Sequence, residues 1–244
     1  MSHPFRILIF SHTTAYRHTS IPAGVQALRR LASASSSGRH PFTADDSEDP
    51  AIFCPESLSA YRAIVLLQCS GEFLNGAQLN ALKGFVRSGG GVVAVHCASF
   101  AMQSSEWYGH LIGGVFDNHP KPQTGRVKIL DSAHPIMACQ CAAPDSEASS
   151  TPTPELSERS WLDEWYNFKA HPRTTSAALN VLLAVDEKSY DGGVHGDDHP
   201  ISWCQTFDGG RCFYTSLGHF DEAYEDAWFM GQLLGGILWS TGLL

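Results

Sequence analysis

Long apolar runs are missing from this sequence. No uninterrupted stretch of its 244 residues is long enough to cross a bilayer. The apolar residues 7–10 behind the first six are too few for a signal h-region and have no small-residue cleavage site after them. Basic blocks are missing as well: Lys+Arg number 16 against Asp+Glu 25, a formal net charge of −9 at pH 7. Phosphate backbones and anionic lipid surfaces are poorly attracted by such a chain, so neither nucleic acid nor membrane is expected as a partner, and a cytoplasmic location is expected. The seven cysteines are odd in number and scattered, with no CxxC pair, which argues against a disulfide framework or a zinc knuckle. Most read as small buried hydrophobes, although Cys139 and Cys141 leave a metal or redox pair open. Glycine is absent from the polar loop 11–19 that follows the first apolar run, so that loop is neither a P-loop nor a dinucleotide fingerprint; NAD, FAD and ATP are not expected.

Hydrophobic residues make up 43% of the chain, enough for the core of one α/β domain, and a single domain over residues 1–244 is expected. Apolar runs at 6–10, 41–44, 63–67 and 92–95 alternate with helical patterns, the arrangement of a parallel sheet with crossover helices. Ser20 as cap and Pro22 in the first turn would start a helix carrying Val25, Leu28 and Leu31. Leu79, Leu82, Phe85 and Val86 share one face of a second. Further strands are expected at 125–130, 164–168, 181–185, 201–206 and 211–216, with Asp208-Gly209 as a hairpin turn between the last two. A closing helix over about 226–239 packs Phe229, Leu233, Leu234 and Ile237 on the sheet. Residues 139–160 are rich in Ser, Thr, Pro, Ala and Glu and read as a mobile surface insertion.

Ligands of open parallel sheets bind beyond the C-terminal strand ends, so the residues just after each expected strand matter most. Here they are polar. His96, Glu164, His199 and His219 form the candidate catalytic set, able either to move protons on a substrate or to ligate a divalent zinc, manganese or iron ion. They come from separate strands with no HExxH-like spacing. Arg17, His18, Glu72, His119, Trp165 and Tyr166 are the candidate substrate contacts; Trp165 and Tyr166, like Trp107 and Tyr108, are aromatic surfaces on which a sugar ring can pack. His134, before a proline, reads as a turn residue.

The segments YRHTSIP, SGGGVVAVH, WYGHLIGGVF, DEWYNF, DDHPISW and GGRCFYTSLGHF, in this order and over nearly the whole chain, resemble the ThuA-like family, named for a trehalose-utilisation protein. The resemblance implies a flavodoxin-like, class I glutamine amidotransferase-like three-layer α/β sandwich with a mostly parallel central sheet. It also implies an association with disaccharide breakdown through keto-sugar intermediates. His96 stands where glutamine amidotransferases carry their nucleophilic cysteine on a sharp strand-to-helix turn, so glutaminase activity is not expected; Cys97 lies one residue further, pointing elsewhere on such a turn. Relatives follow this histidine with small residues and then an acidic one, whereas this chain reads Ala98, Ser99, Phe100. The expected function is a carbohydrate or keto-sugar enzyme, of hydrolase or isomerase type, or a sugar-binding protein, and self-association is compatible with it. The alternative is a non-catalytic interaction or sensor domain that kept the scaffold after losing the nucleophile.

Overall fold

The computed structural model describes residues 4–139, 157–176 and 178–244. Its strands are β1 (Phe5–Phe10), β2 (Phe42–Ser47), β3 (Ala63–Leu67), β4 (Gly91–Val95), β5 (Phe116–Asn118), β6 (Gln123–Ile129), β7 (Glu158–Asp163), β8 (Asn167–Phe168), β9 (Asn180–Asp186), β10 (Pro200–Phe207) and β11 (Gly210–Thr215). Nine of them make one sheet in the order β2-β1-β3-β4-β11-β10-β9-β6-β7, and β5 pairs with β8 in a small second sheet. The five strands from β2 to β11 run parallel, and from β11 onward each neighbour is antiparallel. Burial explains the division. β3 and β4 are buried at every residue, as strands covered on both faces must be, whereas β6 and β7 bury only alternate or terminal positions, which suits a sheet wet on one side.

Helices cover both faces of the parallel half. On one side the helices Ile21–Ser35 and Ala227–Ser240 bring Leu28, Phe229, Leu233 and Ile237 against Ile7, Ile9, Val65, Val93 and Phe213. On the other, Gly76–Arg87 and Glu106–Ile112 bring Leu82, Phe85, Val86 and Leu111 against Leu8, Ile64, Val92 and Tyr214. Each such buried aliphatic or aromatic side chain contributes about 1.5–3 kcal/mol relative to exposure. The helix Gly76–Arg87 starts where it does because Asn75 and Gln78 form a reciprocal capping box: Asn75 Oδ1 accepts from the Gln78 amide at 3.0 Å and Gln78 Oε1 from the Asn75 amide at 2.8 Å. Asp208 and Gly209 both have positive φ, 49° and 94°, the pairing of a type I′ hairpin between β10 and β11.

Three expectations need correction. Ser20 does not cap the first helix; its hydroxyl donates instead to the His219 carbonyl at 2.7 Å. The strand expected at 164–168 is present only at its end, as β8; β7 before it stops at Asp163, and residues 164–166 cross from the large sheet to the small one. The insertion expected at 139–160 is shorter at its far end, since Glu158–Asp163 pairs with β6; residues 140–156, with Cys141, lie outside the described residues.

Candidate functional site

Four loops meet at the C-terminal edge of the parallel strands. β4 ends at Val95, and His96 follows with φ 53°, a left-handed conformation that costs a non-glycine residue about 1–3 kcal/mol and turns its ring into the sheet edge. His18 comes from the loop after β1, His219 from the loop after β11, and Glu164 from the end of β7. One ligand atom from each of these four lies within 4.8 Å of those of the others, and His18, His96 and Glu164 are buried.

The contacts within the group are short. His96 Nε2 lies 3.1 Å from His18 Nε2, 2.9 Å from the Tyr166 hydroxyl and 3.4 Å from Glu164 Oε2. Glu164 Oε2 is 3.3 Å from His219 Nδ1 and 3.8 Å from His18 Nε2, while Glu164 Oε1 is 3.5 Å from His119 Nε2. Burial alone would raise the Glu164 pKa, but the imidazoles of His18, His219 and His96 around it bring it well below the usual carboxylate range, so it is ionised. Burial holds His18 down at about 4 against the pull of Glu164, which leaves it neutral at pH 7. For His219 burial acts the same way, yet the nearby Glu164 carboxylate outweighs it and the pKa is raised.

A second layer fixes these groups. Asp163, fully buried, accepts from the amides of Glu164 at 2.9 Å, Gly218 at 2.9 Å and His219 at 3.2 Å, and from Trp161 Nε1 at 2.9 Å. Gln68, itself at φ 52°, donates to the Gly218 carbonyl at 2.6 Å and to the Ser20 hydroxyl at 3.0 Å. Gln68 is among the polar residues that the sequence places just after a strand, whereas Asp163 was not singled out; its signal was its place two residues after Trp161, on the same side of a strand.

Above Glu164 opens a cavity of about 300 Å³. Tyr16, Phe100, Phe116 and Tyr166 form its aromatic walls, and His18, His119 and Glu164 its polar lining. Of the expected contacts, His18, His119 and Tyr166 are thus brought to the site together with His96, Glu164 and His219. The others are elsewhere. Arg17 is exposed and pairs with Glu48 at 2.7 and 3.1 Å. Glu72 accepts from the amide and hydroxyl of Ser104 at 3.0 and 2.6 Å. Trp165 is fully buried, its Nε1 donating to the Gln123 carbonyl at 3.0 Å, and is a core residue. His199 stands behind the group, where its Nε2 donates to the Tyr166 carbonyl at 2.9 Å; His18 takes the place expected for it. Cys97 Sγ is 3.3 Å from His18 Nδ1, but burial pushes its thiol pKa far up, against the thiolate that a nucleophile requires.

The model of the family described as trehalose utilisation, ThuA, matches residues 6–240. The chain belongs to the ThuA family. Among solved structures, this ThuA-family chain is similar to a ThuA-like protein of Bacteroides uniformis, with 22% identity, a TM-score of 0.74, and coverage of 98% of this chain and 93% of that one. A ThuA-like protein of Parabacteroides merdae gives 18% identity and a TM-score of 0.70 over 98% and 90% of the two chains. A cytoplasmic protein of Salmonella typhimurium gives 10% identity and 0.62 over 96% and 98%. These likenesses carry the α/β fold. No curated protein sequence matches the chain. No helix among the described residues is long and apolar enough to cross a membrane.

Proposed function

We propose that this ThuA-family chain is an enzyme that moves a proton on a carbohydrate or keto-sugar bound in the cavity above Glu164. The observation that carries the reading is the lining itself: aromatic walls suit the C–H faces of a sugar ring, and the ionised carboxylate and imidazoles beneath suit its hydroxyls and carbonyl. The family description, trehalose utilisation, supports the same substrate class. Glu164 is the base. It takes a proton from the carbon next to a keto-sugar carbonyl, and the electron pair of that C–H bond moves to the carbonyl oxygen. Tyr166, whose pKa burial pushes far up, keeps its proton and offers it as a hydrogen bond to that oxygen. His96 Nε2, 2.9 Å away, competes for that hydrogen and holds the hydroxyl in place until the carbonyl oxygen takes it. The proton of the hydroxyl on the carbon that Glu164 deprotonated passes to the former carbonyl oxygen, the oxygen that lost it becomes the new carbonyl, and Glu164 returns its own proton to the former carbonyl carbon, which completes the isomerisation.

Glutaminase chemistry is not part of the proposal, because the thiol of Cys97 is buried and protonated. A cytoplasmic setting is supported by the Salmonella relative described in that way, and the charge of −9 speaks against nucleic acid as a partner. The test is a panel of aldoses, ketoses and 3-keto-disaccharides, followed by melting shift and by turnover in deuterated water. A sugar that is turned over with solvent exchange, and whose turnover Glu164→Gln and His96→Ala abolish, supports the reading. Full turnover in both variants, or no shift and no turnover across the panel, removes it.

A further inference from the structure

We infer that His18, His96, Glu164 and His219 form a binding site for one divalent first-row transition-metal ion, with zinc favoured over ferrous iron and manganese by the ordinary affinity order. The proton inventory of the cluster leads there. His96 Nδ1 lies 2.6 Å from the Ser216 carbonyl, which can only accept, so the ring proton sits on Nδ1 and the lone pair on Nε2. The Cys97 thiol donates to the Gln68 carbonyl at 3.2 Å, so its sulfur is left to accept from His18 Nδ1 at 3.3 Å, and the His18 lone pair is on Nε2 as well. These two lone pairs face each other across 3.1 Å, with a carboxylate oxygen 3.4 and 3.8 Å away. His219 Nδ1, 3.3 Å from the same oxygen, is buried without a hydrogen-bond partner. Among the described residues the hydroxyl of Tyr166 is the one donor in reach of His96 Nε2, and a single hydrogen cannot serve this many acceptors.

The spacing suits a cation in the middle. Two ligand atoms each about 2.1 Å from a common ion, at tetrahedral to octahedral angles, are roughly 3.0–3.4 Å apart. The separations of 3.1, 3.3 and 3.4 Å fall there, 3.8 Å is a small contraction away, and the pairs of His219 with His18 and His96, within 4.8 Å, would close onto the ion. The outer hydrogen bonds of a ligating histidine are in place too, since His96 donates its other N–H to a backbone carbonyl. Three imidazoles and a carboxylate make up a complete tetrahedral shell for zinc, and two of the four, His18 and Glu164, also line the cavity. This differs from the set expected from the sequence, in which His199 stood in place of His18. It deepens the function proposed above for the same site, but its test needs no sugar.

The protein, produced without a polyhistidine tag, is assayed for metal by elemental mass spectrometry, stripped with a chelator, and titrated separately with zinc, ferrous iron, manganese and cobalt(II). The expected result is one equivalent bound per chain, a melting temperature that falls on stripping and recovers on reloading, and a visible cobalt spectrum of nitrogen-rich coordination. His18→Ala and His219→Ala weaken binding at least tenfold, whereas His171→Ala, away from the cluster, leaves it intact. A stripped wild-type chain that takes up none of the four ions and whose melting temperature none of them moves overturns the inference and leaves the cluster satisfied by protons alone. Uptake that His18→Ala and His219→Ala leave unchanged overturns it equally. Should those variants fail to fold, the wild-type titration and its cobalt spectrum decide. Metal uptake without any sugar turnover would sink the sugar reading and not this one.

Discussion

Two groups of histidines lie close together among the described residues, and their ring nitrogens meet opposite conditions. Around Glu187, His171 Nε2 donates to the Asp198 carbonyl at 2.8 Å and its Nδ1 accepts from the Arg173 amide at 3.3 Å. His195 Nε2 accepts from the Phe168 amide at 3.0 Å. His199 donates from Nε2 to the Tyr166 carbonyl, and its Nδ1 meets the Tyr190 hydroxyl at 2.8 Å and Glu187 at 2.7 Å. Each of these nitrogens has a complementary partner, so the group acts as a brace that holds the 187–199 loop against residues 166–168. Around Glu164 two imidazole lone pairs, on His18 and His96, face each other across 3.1 Å beside a carboxylate oxygen. The difference teaches that clustered histidines are not in themselves a sign of chemistry; an unmet demand for a proton, a cation or a substrate is.

Breaking the comparison begins with its largest effect. Glu164→Gln keeps the shape and removes the charge, so turnover on the substrate should fall by about 10²–10⁴-fold while the melting temperature of the metal-stripped chain barely moves; steady-state kinetics beside calorimetry of the stripped proteins would show it. His199→Ala should do the reverse. It takes the imidazole away from the Tyr166 carbonyl and the Tyr190 hydroxyl, and urea denaturation should record a loss of about 1–3 kcal/mol, with turnover reduced only as far as Tyr166 is displaced. If His199→Ala instead abolished turnover at unchanged stability, the brace would have to be counted with the active group.

The next effect is in pH. Burial first, then His199 and His171, lower the His195 pKa from its ordinary 6.5 to about 4. Between those values the unfolded chain binds a proton that the folded chain refuses, so His195 makes stability fall as pH drops from 6.5 toward 4 and has no such effect above 6.5. Melting curves across that range should be steeper in pH for the wild type than for His195→Gln. The smallest effect is expected at Cys97. Its thiol is buried and protonated, so Cys97→Ala should keep turnover within a small factor, and the native chain should resist alkylation there.

Much of the fold was legible because continuous apolar runs such as Ala63–Leu67 and Gly91–Val95 admit few other readings than buried parallel strands. Their C-terminal ends led directly to His18, His96 and His219. The antiparallel half was harder. β7 alternates exposed and half-buried positions, with Leu162 half exposed and only Asp163 buried, a weak pattern beside the aromatic run 164–168 that follows it. Trp165 was read as a sugar platform for the same reason, and only the fold reveals that it fills the space over Gly125, where a Cβ would come within 2.7 Å of the indole. Choosing His18 over His199 also lay beyond the sequence. Both are histidines at the polar end of a segment, and convergence is a property of the assembled sheet.

The four groups that converge on one point come from positions 18, 96, 164 and 219, so the site samples almost the full length of the chain. No fragment inherits it. Residues 1–100 would carry two of the four, and a cut anywhere between β4 and β11 separates at least one from the rest. Occupancy of the site therefore serves as a gauge of completed folding: any ligand that needs all four acts only on the finished chain, and stabilises that state against every partly assembled one.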